Sequence, residues 1–258
     1  MDSVLVGIAA AVLGLAIGSF LTVVVDRLPK HESIVTPRSR CPACGAAVRT
    51  RDNVPVISWV LLRGRCRSCG ERISVRYPLI EAGTAGAFVA IALIYDDTYV
   101  AAMLAAFAAL LIAVSVIDLE HKIIPNRITY PALPIFAVVI VLGWVLDRPL
   151  DPARAGVGLL GYGGFYFVIA MIAPRGMGMG DVKLAGLIGL VLGSLGLRYV
   201  GVAAGAAIVA GGLGAIAALA LGRGRKAAIP FGPYLAVGAL VAIVWGASIA
   251  AWYIDRIS

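Results

Sequence analysis

The sequence predicts an all-α, polytopic membrane protein with about eight transmembrane helices. Three observations predict it. The 258 residues are 61% apolar and 14% charged, with a mean hydropathy of +0.96, whereas a soluble domain is about half apolar and a quarter charged. Apolar runs of about 20 residues, the length that crosses a bilayer, recur along the chain. Positive charge is concentrated in one place: residues 26–78 hold eleven Lys/Arg against four Asp/Glu, a net +7 in a chain of net +8.

The first run, 4–25, is of spanning length, and its N-terminal flank carries Asp2 instead of Lys or Arg. That flank argues for a retained helix over a cleaved signal peptide. The remaining runs fall near 79–95, 99–117, 128–146, 155–173, 182–197, 200–221 and 231–254. The sixth is short and glycine-rich, and a re-entrant segment is its alternative. Thirty-one glycines suit helices packed closely through small residues.

Orientation follows from the connections, because cytoplasmic loops carry the excess of Lys and Arg. The basic 26–78 loop is expected inside, with the N-terminus outside. YDDTY (95–99) then lies outside, DLEHKIIPNR (118–127) inside, DRPLDPAR (147–154) outside, PRGMGMGDVK (174–183) inside and GRGRK (222–226) inside, with the C-terminus outside. This accounts for the basic loop without nucleic acid, which is not expected as a partner. The expected parts are the first transmembrane helix (1–25), a cytoplasmic loop domain (26–78) and a multi-helix membrane domain (79–258).

All four cysteines lie in that loop, as CPAC (Cys41, Cys44) and CRSC (Cys66, Cys69). Two C-x-x-C knuckles about 20 residues apart read as a tetrahedral Zn²⁺ site. Four thiolates leave no open position, so the zinc is structural. Gly45 and Gly70 follow the knuckles, where a tight turn favours glycine. Two disulfides are the alternative, which a reducing compartment disfavours. The loop is too small to build much of a core, and the metal would supply the staple.

Two aspartates stand at the edges of apolar runs: Asp118 in SVIDLEHKIIPN and Asp181 in GMGMGDVKLAG. A carboxylate at a membrane edge is costly and points to function. Each has an ordinary reading alone, Asp118 as a helix-end charge and Asp181 as the N-cap of a following helix. Together, on one side of the membrane, they could share a proton and activate a water. Gly178 and Gly180 would let a substrate backbone approach Asp181.

Other chemistries are poorly supplied. His31-Glu32 begins like H-E-x-x-H, but position 35 is Val. The surroundings of Ser19 do not form a G-x-S-x-G elbow. Glu81 reads as an interfacial charge, and Pro230-Phe231-Gly232-Pro233 as the start of the last helix.

These motifs together resemble the type IV prepilin peptidases, the leader peptidase/N-methyltransferases of the GxGD aspartic protease class. GSFLTVVVDRLP (18–29) is similar to the family's opening, where Asn commonly stands at the position of Thr22 and Tyr at that of Asp26. RSRCPAC, NVPVISWVLLRGRCRSC and ISVRYPLIE resemble its cytoplasmic zinc domain. IDLEHKIIPNRIT and GMGDVKLAGLIG resemble the segments bearing its two aspartates, and IPFGPYLAVGAL its last helix.

The resemblance implies a membrane aspartic peptidase of the bacterial cytoplasmic (inner) membrane. Its substrates would be prepilins of type IV pili or pseudopilins of type II secretion systems. It would cut a short basic leader with Asp118 and Asp181, then methylate the new N-terminus with S-adenosylmethionine. A peptidase without methyl transfer is the nearest alternative. A proton-coupled transporter would place acids at mid-membrane, and a membrane-anchored zinc module would leave both aspartates dispensable.

Overall fold

The computed structural model describes residues 3–173, 177–221 and 230–257. It is 77% helical, and no strand occurs among the described residues. The described residues form nine α-helices in order: α1 (Ser3–Arg27), α2 (Ile57–Leu61), α3 (Arg76–Ile94), α4 (Thr98–His121), α5 (Asn126–Val145), α6 (Pro152–Ile172), α7 (Met179–Leu195), α8 (Leu197–Ala220) and α9 (Gly232–Ile257). Seven of them, all but α2 and α7, are long and apolar enough to cross a membrane. The protein is a multi-pass membrane protein. The expected sixth span falls on α7, whose 17 residues leave it outside those seven, so seven of the eight expected spans are met by length among the described residues. The basic GRGRK connection and Arg175, used above to assign sidedness, lie outside the described residues.

The chain divides into two compact units, Met1–Ile94 and Tyr95–Ser258. In the first, α1 and α3 pack through small residues. A Cβ on Gly14 would come within 2.6 Å of the Ala85 Cα, and one on Gly18 within 2.7 Å of the Glu81 Cα. Only glycine lets backbones meet this closely. Between these helices the chain forms a ribbon without extended strands. Each cysteine knuckle is closed by one isolated bridge, Arg40 with Ala47 and Arg65 with Arg72.

Within the ribbon, Trp59 lies against Gly64 and its indole N–H donates to the Ile73 carbonyl at 3.1 Å. Arg67 holds Asp52 through a two-pronged ion pair at 2.7–3.0 Å, which keeps the Asp52 carboxyl below its ordinary range. Glu81, 8% exposed, accepts the Val56 N–H at 2.7 Å. Val56 is a β-branched residue at φ +60°, a strained conformation that the carboxylate helps to fix. The Glu81 expected as an interfacial charge is therefore buried and engaged. Thr22 satisfies its hydroxyl on the Ser19 carbonyl at 2.7 Å. Asp26 is held by Arg76 and by the Tyr77 hydroxyl. Both departures from the family's usual opening are thus accommodated locally.

In the second unit the core centres on α4 and α7. α7 is apolar all round, and every residue from Leu184 to Ser194 is buried, the pattern of a helix enclosed by others. Its contact with α6 is made by glycines. A Cβ on Gly158 would overlap the Gly189 carbonyl, and one on Gly163 would lie 2.9 Å from the Gly186 Cα. α6 starts at an Asp151 cap, whose carboxylate accepts the N–H groups of Ala153 and Arg154. This close pairing fixes where the first turn of α7 begins.

Candidate active site and metal centre

The ribbon places its four cysteines in one cluster. Both knuckles make the same turn. The Gly45 N–H donates to the Cys41 carbonyl and the Gly70 N–H to the Cys66 carbonyl, each at 2.9 Å, with φ +70° and +74° at the glycines. The chain then doubles back, so that Cys41 N–H reaches the Ala46 carbonyl and Cys66 N–H the Glu71 carbonyl. All four are free thiols. Their sulfur atoms lie within 4.8 Å of one another, and Cys41 and Cys69 Sγ are 3.8 Å apart. A tetrahedron with Zn–S bonds of about 2.3 Å has edges of about 3.8 Å, so the cluster is of the right size. Backbone donors from Cys69 and Ser68 hold the Cys66 thiol down to about 7, while the neighbouring thiols push Cys69 up to about 12, as crowded sulfurs that share protons do. These residues could hold a metal ion.

In the second unit, α4 ends one turn beyond Asp118. Lys122 takes the left-handed conformation at φ +55°, and its N–H donates to the Asp118 carbonyl at 2.8 Å. The Asp118 side chain is 5% exposed. Its Oδ2 accepts the Gly232 N–H at 3.0 Å, from the first residue of α9. The Pro230–Pro233 segment thus does more than begin a helix: it delivers a backbone donor to a carboxylate.

Asp181 is not the N-cap of α7. The helix starts two residues earlier, with Gly178 as cap, and Asp181 occupies the third helical position. Its Oδ2 reaches back to accept the Gly178 N–H at 3.1 Å, while its own N–H donates to the Gly178 carbonyl. This is the carboxylate half of a capping box, favourable at a helix N-terminus.

Two glycines beside the aspartates converge on one residue, Ile124, in the link between α4 and α5. A Cβ on Gly180 would lie 2.9 Å from the Ile124 Cβ, and one on Gly232 would lie 3.3 Å from the Ile124 Cδ1. Gly180 therefore spends its missing side chain on Ile124, whereas Gly178 is exposed, and a Cβ there would meet the Asp181 Oδ2 at an ordinary 3.5 Å. Each carboxylate thus has Oδ2 bound by a backbone N–H, and among the described residues neither Oδ1 receives a hydrogen bond.

Three partners of this site were not readable in advance: the Gly232 amide, the Ile124 spacer and Lys183. Lys183 Nζ donates to the Asn126 Oδ1 at 2.8 Å and lies 4.4 Å from the centre of the Tyr130 ring. Both acids sit at helix ends, Asp118 in the last turn of α4 and Asp181 in the first turn of α7. A proton relay at mid-helix, as expected of a transporter, is not what they form.

Residues 12–95 match the bacterial peptidase A24 N-terminal domain, and residues 105–251 match the type IV leader peptidase family. The chain is 37% identical over 247 residues to a prepilin leader peptidase/N-methyltransferase of Bacillus subtilis (strain 168), covering 94% of this chain and 96% of that one. It is 38% identical over 259 residues to a type 4 prepilin-like proteins leader peptide-processing enzyme of Escherichia coli O78:H11, covering 92% and 93%. A prepilin leader peptidase/N-methyltransferase of Pseudomonas putida is 36% identical over 272 residues, covering 94% and 91%. No solved structure matches the chain. With its two matched regions taking in the cysteine ribbon and both aspartates, this chain belongs to the type IV leader peptidase family.

Proposed function

We propose that this protein is a membrane aspartic endopeptidase that removes the basic leader from type IV prepilins or pseudopilins and then N-methylates the new N-terminal residue. The observation that supports the reading is that Asp118 and Asp181 each have one oxygen bound to backbone and the other left open, while Gly232 and Gly180 beside them both meet Ile124. Backbone donors on the Oδ2 atoms orient the two carboxyl groups. A water between the open oxygens is deprotonated by one carboxylate as it attacks the scissile carbonyl. The other, protonated, donates to the carbonyl oxygen and later helps to protonate the leaving amine. Protonation belongs to the pair and not to either residue alone. Exposed Gly178, beside Asp181, is where an extended substrate backbone comes closest.

Cys41, Cys44, Cys66 and Cys69 bind one structural Zn²⁺ that holds the ribbon folded. S-adenosylmethionine supplies the methyl group. The enzyme lies in the bacterial cytoplasmic membrane with both termini outside and the dyad facing the cytoplasm. Three parts are assigned: the first transmembrane helix (1–25), the zinc domain (26–78) and the peptidase domain (79–258).

The test is incubation of the purified protein with a prepilin and S-adenosylmethionine, followed by mass spectrometry of the pilin N-terminus. The wild-type chain is expected to yield cleaved, methylated product. Asp118→Asn and Asp181→Asn should leave the leader in place in a folded, inserted protein. Normal cleavage by either variant would overturn the aspartic mechanism.

A further inference from the structure

Lys183 follows the GxGD segment, two residues after Asp181, yet it does not neutralise that carboxylate. Residues two apart on a helix point to different faces. Among the described residues Lys183 pairs with no carboxylate at all. It reaches instead to α5, donating to Asn126 Oδ1 at 2.8 Å and covering the Tyr130 ring at 4.4 Å. Asn126 is the first residue of α5 and Lys183 the fifth of α7. Lys183 thus joins the beginnings of two helices through an amide and a ring instead of a carboxylate.

Asn126 follows Ile124 by two residues, and Ile124 is the spacer on which Gly180 and Gly232 rest. Gly180 adjoins Asp181, and Gly232 donates to Asp118. The link that carries Ile124 starts at Lys122, whose N–H is bound to the Asp118 carbonyl. Residues 122–126 therefore link the surroundings of one carboxylate to those of the other, beside the direct packing of α4 and α7 on α9. The Lys183–Asn126 bond ties the far end of that link to the helix bearing Asp181, where α5 and α7 also pack together.

We infer that Lys183 is a positioning residue for the aspartate pair: with Asn126 and Tyr130 it latches the N-terminal end of α7 to that of α5 and so helps to set the spacing of Asp118 and Asp181. The inference rests on the dyad reading above. It assigns no contact with substrate to Lys183.

The experiment measures kcat and KM for leader cleavage by the full chain in detergent, with Lys183→Met, Asn126→Ala, the double variant and Lys183→Arg. A displacement of about 1 Å at a reacting centre costs up to about 100-fold in rate. Lys183→Met is expected to lower kcat on the order of 10- to 100-fold with little change in KM. Lys183→Arg should recover most of the rate, since a guanidinium can both donate to Asn126 and stack on Tyr130. The double variant should be no worse than the poorer single one, because both break the same latch.

Wild-type kcat in Lys183→Met, or losses that multiply in the double variant, would overturn the inference. A loss confined to KM would do so too, by assigning Lys183 to substrate binding. If Lys183→Met does not fold, Asn126→Ala decides alone: it removes only the acceptor, and an unchanged kcat refutes the latch. Asp118→Asn and Asp181→Asn run alongside separate the two levels. Cleavage by those variants sinks the dyad reading, whereas an essential dyad with a normal Lys183→Met sinks only the latch.

Discussion

Replacing Gly232 with alanine adds one carbon at the point where α9 meets Asp118. That Cβ would lie 2.8 Å from the Asp118 Oδ2, and 3.3 Å from both the carboxyl carbon and the Ile124 Cδ1. Non-bonded heavy atoms are at ease nearer 3.5 Å, so the carboxylate must retreat by roughly half an ångström or more. It then leaves the Gly232 N–H, now 3.0 Å away, that orients it. A hydrogen bond to a charged group is worth about 1.5–3 kcal/mol. At about 1.4 kcal/mol per factor of ten, its loss from the reactive arrangement slows cleavage about 10- to 100-fold. The fold should survive, because the clash is with a side-chain end and not with backbone. The assay is steady-state cleavage of a prepilin by purified Gly232→Ala protein, with thermal unfolding as control. Gly211→Ala is the matched substitution, since its Cβ would meet Phe231 at an ordinary 3.5 Å. Wild-type kcat in Gly232→Ala would show that this amide does not place Asp118.

Three further outcomes are expected. Gly189→Ala drives a methyl group into the Gly158 backbone and should cost about 3 kcal/mol or more, read as loss of folded protein, because neither backbone can give way. Glu81→Ala leaves the Val56 N–H without its acceptor at a cost of about 1–3 kcal/mol; the ribbon should become sensitive to protease while Glu81→Gln stays resistant. Cys44→Ser should lower bound zinc and unfold the ribbon, with methylated product falling more steeply than cleaved product; zinc-free wild-type protein that is fully active in both steps would refute a structural metal.

The sequence made the helices legible because each is a long apolar run, and the predicted spans agree with the observed helices to within a few residues. Asp118 and Asp181 stood out for the same reason: a charge is conspicuous where apolar runs end. The cysteine cluster was legible from spacing alone, since two knuckles need only a doubled-back chain to meet. What escaped has no residue-type signature. The Gly232 amide is backbone, and any residue but proline carries one. Ile124 looks like any apolar residue in a link, and only its fit against Gly180 and Gly232 reveals it as a spacer. Lys183 and Asn126 are 57 positions apart, so their bond depends on packing that no local pattern encodes. The start of α7 was misplaced because Asp181 is a good N-cap by type, yet the chain used it from within the first turn.

The shortness of α7 has a consequence for the membrane itself. Seventeen residues reach about 26 Å, against about 32 Å for α6 and about 36 Å for α8. A hydrocarbon core is about 30 Å thick. Lipid does not adapt to α7, because its neighbours enclose it, so the shortfall persists as depth inside the protein. Asp181 stands at the third position of that shorter helix. On the dyad reading, the shortfall is where hydrolytic water would find room below the level at which acyl chains begin. Acyl-chain length is then an expected control on the enzyme, since the longer helices must tilt to match a thicker or thinner bilayer.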